Sequence, residues 1–193
     1  MDREKCIARA KALGAEYEMK YNNDTQATFQ AIVDALKEEG ITLTDPKTEE
    51  LLFRSLAGFV GGHAYTGNGN AGALTGASAV ISLISDVGRE KLTIDRNHRW
   101  ISYDNAYKSL YHDFVNAYRG LTDKHVAWTA YGKWWDYWNP ESWQNFLAES
   151  KERGYFGNEN SVVAITAALG AGYAIDILEH PRTFEQVKIE HGL

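Results

Sequence analysis

Three side chains in the first third of the chain are of the types that proton transfer requires: Asp24, His63 and Tyr65. An imidazole titrates near neutral pH, a carboxylate within reach fixes its tautomer, and a concave aromatic wall keeps water out. His63 is the one readily titrating side chain of residues 58–76, GFVGGHAYTGNGNAGALTG, which hold seven of the chain's 17 glycines. A purely structural reading stands beside the chemical one. His63 as a neutral imidazole hydrogen-bonded inside a tight loop does no chemistry, and Asp24 falls where a helix N-cap belongs, its carboxylate accepting a backbone N–H.

The elements that must position these groups are helical. Glycine this dense marks backbone that turns sharply or approaches another group closely, so residues 61–69 read as a loop opening into a buried helix over 70–85. Gly72 and Gly76, four apart, leave one side of that helix bare for another backbone. Residues 2–18 alternate charges with Ile7, Ala10, Gly14 and Tyr17, which predicts a weakly amphipathic surface helix. Phe29, Ile32, Val33 and Leu36 are spaced i, i+3, i+4, i+7 before Gly40, a strong helix signal. Asp45 and Pro46 start another helix, through Leu52, Leu56 and Phe59, that leads into the glycine-rich loop.

Residues 86–101 are polar and aperiodic, and read as a surface connection. Tyr107, Leu110, Tyr111, Phe114 and Tyr118 then recur at helical spacing up to Gly120, so the tyrosines are expected in the core with a wet rim and His112 beside them in solvent. Five of the six tryptophans lie between residues 128 and 143. The segment 125–139 is therefore a folded-back hydrophobic plug, the wall of a pocket, or an oligomer contact. Asn139 and Pro140 start a helix that stops at Gly154. Asn158 or Asn160 opens an apolar helix rich in small residues, and 181–193 is a polar tail that contributes little. No strand alternation and no solenoid repeat occurs. The expectation is a single all-α domain over 1–193, six to eight helices around the glycine-rich loop and a buried small-residue helix.

Gly-Gly-His-Ala-Tyr-Thr-Gly, from Gly61, followed by Ala-Gly-Ala-Leu-Thr-Gly-Ala, resembles the signature of the redox-active family named for its pattern C…GCAxxG…C…C, whose relatives include the split-Soret cytochromes. Residues 21–29, YNNDTQATF, are similar to the family's Asn-Cys-Ala-Gln-Ala segment. The likeness spans residues 20–85 and extends thinly to about 178. It implies that Asp24, His63, Ala71 and a position near Ala127 take the family's cysteine slots, with Asp24 near His63. In the family those cysteines are thought to hold an iron–sulfur centre or to do thiol redox work. Here the only thiol is Cys6, outside the motif. A cluster needs several thiolates and a dithiol cycle needs two, and no Cys-x-x-Cys-His is present for covalent haem.

The resemblance thus implies a degenerate member with a small-molecule site in the vacated cluster position. His63, Asp24 and Tyr65 would carry the chemistry, with Gly62, Thr66, Asn68, Asn70 and Ala71 of the loop and Trp128 and Trp134 of the aromatic segment around the ligand. A single divalent metal is the variant of this reading. Zinc takes three or four protein ligands, so Asp24 and His63 would need His125 and Glu159 to complete the set.

With 20 Lys plus Arg against 26 Asp plus Glu, the formal charge is −6, which gives no footprint for nucleic acid or anionic lipid. The longest apolar run, 162–177, is shorter than the ~20 residues a bilayer demands and is expected as a core helix. One cysteine and no visible leader fit a cytoplasmic protein. The glycine-rich loop lacks Gly-Lys-Ser/Thr and has no βαβ context, so phosphate cradling is weakly supported. Two functions remain. One is a small-molecule site with non-redox acid–base or metal-assisted chemistry of lyase or isomerase type at His63. The other is a non-catalytic accessory subunit that docks on an oxidoreductase, or on itself as a homodimer, through its tryptophan-rich face. The first requires His63 and Asp24 directed into a closed pocket. The second requires those side chains locked in backbone hydrogen bonds and Trp134, Trp135 or Trp138 exposed.

Overall fold

In a computed structural model that describes all 193 residues, every periodic apolar stripe of the sequence becomes a helix and no strand forms. The order is α1 (Arg3–Tyr21), α2 (Asp24–Glu38), α3 (Pro46–Ser55), a 3-10 turn (Ala57–Phe59), α4 (Gly72–Ile84), α5 (Arg89–Ile94), α6 (Arg99–Ala106), a π-helical turn (Tyr107–Tyr111), α7 (His112–Tyr118), α8 (Asp123–Tyr131), α9 (Pro140–Arg153), α10 (Val162–Glu179) and α11 (Phe184–His191). The core is a bundle of α1, α2, α4 and α10. Phe29, Ile32 and Leu36 of α2, Val80 and Ile81 of α4, and Ile175 of α10 are fully enclosed. Each such side chain contributes roughly 1.5–3 kcal/mol by leaving water.

The bare side of α4 does what its spacing predicts. A Cβ at Gly76 would stand 2.2 Å from the Thr25 carbonyl oxygen, so α4 lies backbone against backbone on α2. Helix starts are supplied by side chains that satisfy orphan N–H groups: Asn23 for α2, Asp45 with Pro46 for α3, Thr122 for α8, Asn139 with Pro140 for α9. For α10 the cap is Ser161, whose Oγ accepts from Ala164 N, and not Asn158 or Asn160.

Several expectations are corrected. The first helix is no surface strip: Cys6, Ala10, Leu13 and Gly14 are buried against α2 and α10, because small residues at helical spacing permit a close approach that their low hydrophobicity conceals. Residues 86–101 fold into α5, a short 3-10 turn and the start of α6. The tyrosine stripe is split by the π-helical turn, whose extra residue rotates the helix beyond it. Leu110, Phe114 and Tyr118 face the core while Tyr103 and Tyr107 are more than half exposed. His112 is exposed, as expected. The polar tail forms α11, anchored by fully buried Val187 and by His191, whose Nε2 lies 3.0 Å from Asp104 Oδ2 and whose ring stacks on Trp100. By length and composition α10 alone could cross a membrane; here it is packed by α1, α2 and α4 at the centre of the bundle.

Candidate functional site

Between the end of the bundle and the aromatic segment lies a cavity of about 600 Å³. Its charged floor comes from three helix ends: Glu18 in the last turn of α1, Asp24 as the first residue of α2, and Asp123 as the first residue of α8. Tyr65, Tyr131, Tyr137, Trp143 and Phe146 form its walls. Tyr137 makes edge contacts with Tyr65, Trp143 and Phe146 at centroid distances of 5.2, 6.0 and 4.9 Å. Segment 125–139 is thus a pocket wall through Tyr131 and Tyr137 and a plug through buried Trp135.

The glycine-rich loop places the floor. Five consecutive residues have positive φ: Gly61 (54°), Gly62 (70°), His63 (66°), Ala64 (49°) and Tyr65 (60°). This is a left-handed turn, in which each non-glycine residue costs about 1–2 kcal/mol. It persists because backbone bonds span it, Tyr65 N to Val60 O and Gly67 N to Gly61 O among them, and because its ends are tied. Gly61 N donates to Asp24 Oδ1 at 3.3 Å. Asp123 N and Lys124 N donate to the carbonyls of Gly69 and Gly67, and Ala71 N to that of Leu121. Gly62 lies directly on Asp123, where an added Cβ would come within 2.8 Å of the aspartate Cβ. Neighbouring glycines therefore each meet one of the two aspartates, and Tyr65 is swung into the cavity.

Asn23, not Asp24, is the N-cap of α2, although the Asp24 carboxylate does accept backbone N–H groups as expected. Asp24 Oδ1 accepts from Thr25 N and Gly61 N, and the Gly72 N–H also bears on this carboxylate. Asp123, 9% exposed, has no donor and no cationic partner. Burial raises the pKa of Asp24 despite its backbone N–H bonds. Burial, and then the charge of Asp24, raises that of Asp123. Burial likewise lifts Glu18 to about 7, against the Gly157 N–H it accepts. Tyr65 is pushed up to about 12 by burial and the two aspartates, and remains a phenol. Two carboxyls that share a cavity resist ionising together, so one holds a proton while the other is a base.

His63 is not part of this set. It sits two residues beyond the Gly61–Asp24 bond, yet its ring is exposed, packs edge-on to Phe59 and does not line the cavity. Left-handed backbone turns it outward. Of the other expected residues only Ala71 joins Asp24 and Tyr65 at the cavity. Gly62 supports Asp123 from behind, Thr66 Oγ1 bonds back to Gly62 O, and Asn68 accepts from Lys124. Asn70 is exposed and pairs with Thr122. Trp128 is 60% exposed, and Trp134 packs on Gly67 beneath Lys124.

The four metal candidates do not gather. His125 Nδ1 lies 2.7 Å from Thr122 Oγ1, and Glu159 is an exposed partner of Lys11. The group that does bring three ligand types within 4.8 Å is Asp104, Glu190 and His191. Lys108 and Arg182 already neutralise those carboxylates, which makes it an ion-pair cluster holding α11.

Sequence reasoning missed Asp123, Glu18, Tyr131, Tyr137 and Trp143. Thr122-Asp123 carried a legible helix-start signal, but nothing in the sequence links it to Asp24. No family model, curated protein or solved structure matches the chain.

Proposed function

We propose that this protein binds a small molecule in the Asp24–Asp123 cavity and carries out non-redox proton transfer there, with the aspartate pair in the role that the sequence suggested for His63. The observation that carries this reading is the unpartnered, buried Asp123 carboxylate beside Asp24 on the floor of an aromatic cavity. One aspartate ionised and its neighbour protonated supplies a base and an acid at near-neutral pH. Tyr65, a phenol in the same wall, is a further donor. The resemblance to the C…GCAxxG…C…C family is proposed on the same ground: Asp24 and Ala71, two of the matching positions, and Ala127, near which the last one falls, line this one cavity.

A thermal-shift and native mass spectrometry screen of a mixed small-molecule panel tests the reading, with Ala127→Trp to fill the cavity. At least one hit is expected, lost in Ala127→Trp and kept in His63→Ala. No hit at all, or hits indifferent to the filled cavity, overturns it.

The accessory reading draws support from Trp128 and Trp138, 60% and 71% exposed. The Trp138 indole N–H donates to Ala64 O, which lays that ring against the left-handed turn. A homodimer formed through this face would dissociate in sedimentation when both are changed to Ser. A wild-type chain that sediments as a monomer at every concentration removes that version of the reading.

A further inference from the structure

The cavity has an unbalanced charge inventory. Glu18, Asp24 and Asp123 line it, and the one cationic side chain among its lining residues, Lys151, is exposed and forms no ion pair. Buried charges are ordinarily paired, and none of these three carboxylates has a Lys, Arg or His partner. Asp123 lacks even a hydrogen-bond donor. Ser150 Oγ, in the same lining, is buried and likewise without a partner. These are groups built to meet something that the chain does not itself supply.

The walls indicate what that is. Tyr65, Tyr137 and Trp143 are mutually in contact, with centroids 5.2–6.0 Å apart, and ring faces attract cations. A volume of about 600 Å³ holds a carbon skeleton as well as a charge. Glu18, Asp24 and Asp123 are not among the groups whose ligand atoms lie within 4.8 Å of one another, a spacing that suits an extended organic cation better than one metal ion. An anionic ligand would meet three carboxylates.

We propose that the ligand of this cavity is a protonated amine, its ammonium group seated between Asp24 and Asp123 and its carbon skeleton lying against Tyr65, Tyr137 and Trp143. This assignment rests on the small-molecule reading above and names its ligand class; with both aspartates ionised by the bound ammonium, the Tyr65 phenol is the proton donor left in the wall. An ammonium group satisfies Asp123, which nothing else in the fold does, and relieves the repulsion that keeps the pair from ionising together. Binding therefore releases a proton near neutral pH. Of the other titratable groups facing the pair, Tyr65, Tyr131 and Tyr137 stay neutral, each raised by burial, and Glu18 titrates in the same range.

Calorimetry with three probes of one skeleton tests this: 2-phenylethylammonium, 2-phenylethanol and phenylacetate at pH 7.5. The amine is expected to bind at least tenfold more tightly than the alcohol, phenylacetate not at all, and the heat of amine binding to vary with buffer in the sense of proton release. Asp123→Asn should bring the amine down to the level of the alcohol with the circular dichroism unchanged. Asp24→Asn gives the same readout if that variant does not fold. An alcohol that binds as well as the amine, or an amine indifferent to both substitutions, overturns the assignment while leaving the cavity reading intact. No binding by any probe also overturns it. The cavity reading falls separately, through hits that survive Ala127→Trp.

Discussion

Glu18→Gln should stabilise the protein, increasingly so as pH rises. Glu18 is 8% exposed and sits on the cavity floor with the Gly157 N–H as a donor to Oε2. Burial, partly offset by that bond, raises its carboxyl from 4.5 to about 7. At pH 4 and below, folded and unfolded chains both hold the proton, and the residue is neutral in effect. Above 4.5 the unfolded chain releases its proton first, so stability is lost until the folded chain follows near 7. At ~1.36 kcal/mol per pH unit the full cost is about 3 kcal/mol. Some 0.8 of it is present by pH 5, so the advantage of the glutamine variant should widen by about 2.5 kcal/mol between pH 5 and pH 8. Gln keeps an acceptor for Gly157 N, and other titrations are common to both proteins and cancel. Urea unfolding of both proteins at half-unit pH steps measures the gap. An advantage that stays constant with pH, or shrinks, refutes the claim that this carboxyl is held against its preferred charge.

Gly76→Ala should cost about 3 kcal/mol in urea unfolding, the upper end for overpacking, because the new methyl would meet the Thr25 carbonyl at 2.2 Å and backbone cannot swing aside. Ala64→Gly should raise stability by about 1 kcal/mol, since Ala64 is exposed and held at φ 49°; a drop in melting temperature would remove the left-handed turn from the account. Cys6 is fully enclosed, and burial pushes its thiol up to about 11. Iodoacetamide at pH 8 should accordingly label the folded chain roughly a hundredfold more slowly than the urea-unfolded one.

Where hydrophobic period alone decides, the sequence was readable. The stripe Phe29, Ile32, Leu36 gave α2, the Asn139-Pro140 start gave α9, and the Gly72/Gly76 spacing anticipated a close backbone contact, though not that α2 would make it. Legibility ended where small or polar residues carry the packing. Cys6, Ala10 and Gly14 bury α1 without a strong apolar signature, and Val187 and His191 dock a tail whose composition reads as solvent-exposed. The site divided in the same way. Asp24 and Tyr65 stood in a conspicuous motif and do reach the cavity. His63 stood in it too, but five successive positive φ angles send its ring outward, and backbone handedness of that kind leaves no mark on residues such as histidine and alanine. Asp123 and Glu18 meet Asp24 only through tertiary contact, which spacing cannot encode.

The reversed winding of residues 61–65 also limits how this molecule can be rebuilt. Most exposed loops accept grafted peptides, tags or new termini, because their shape is their own and their ends are loosely set. Here the conformation is fixed twice, by backbone bonds across the turn such as Ala64 N to Gly58 O and Gly67 N to Gly61 O, and by the Gly61 tie to Asp24 and the stitching of residues 67–71 onto the start of α8. A chain opened between Gly62 and Ala64 would relax toward ordinary right-handed geometry, carrying Tyr65 out of the cavity. That stretch, exposed at His63 and Ala64, is the poorest place on the surface for a permutation or fusion point.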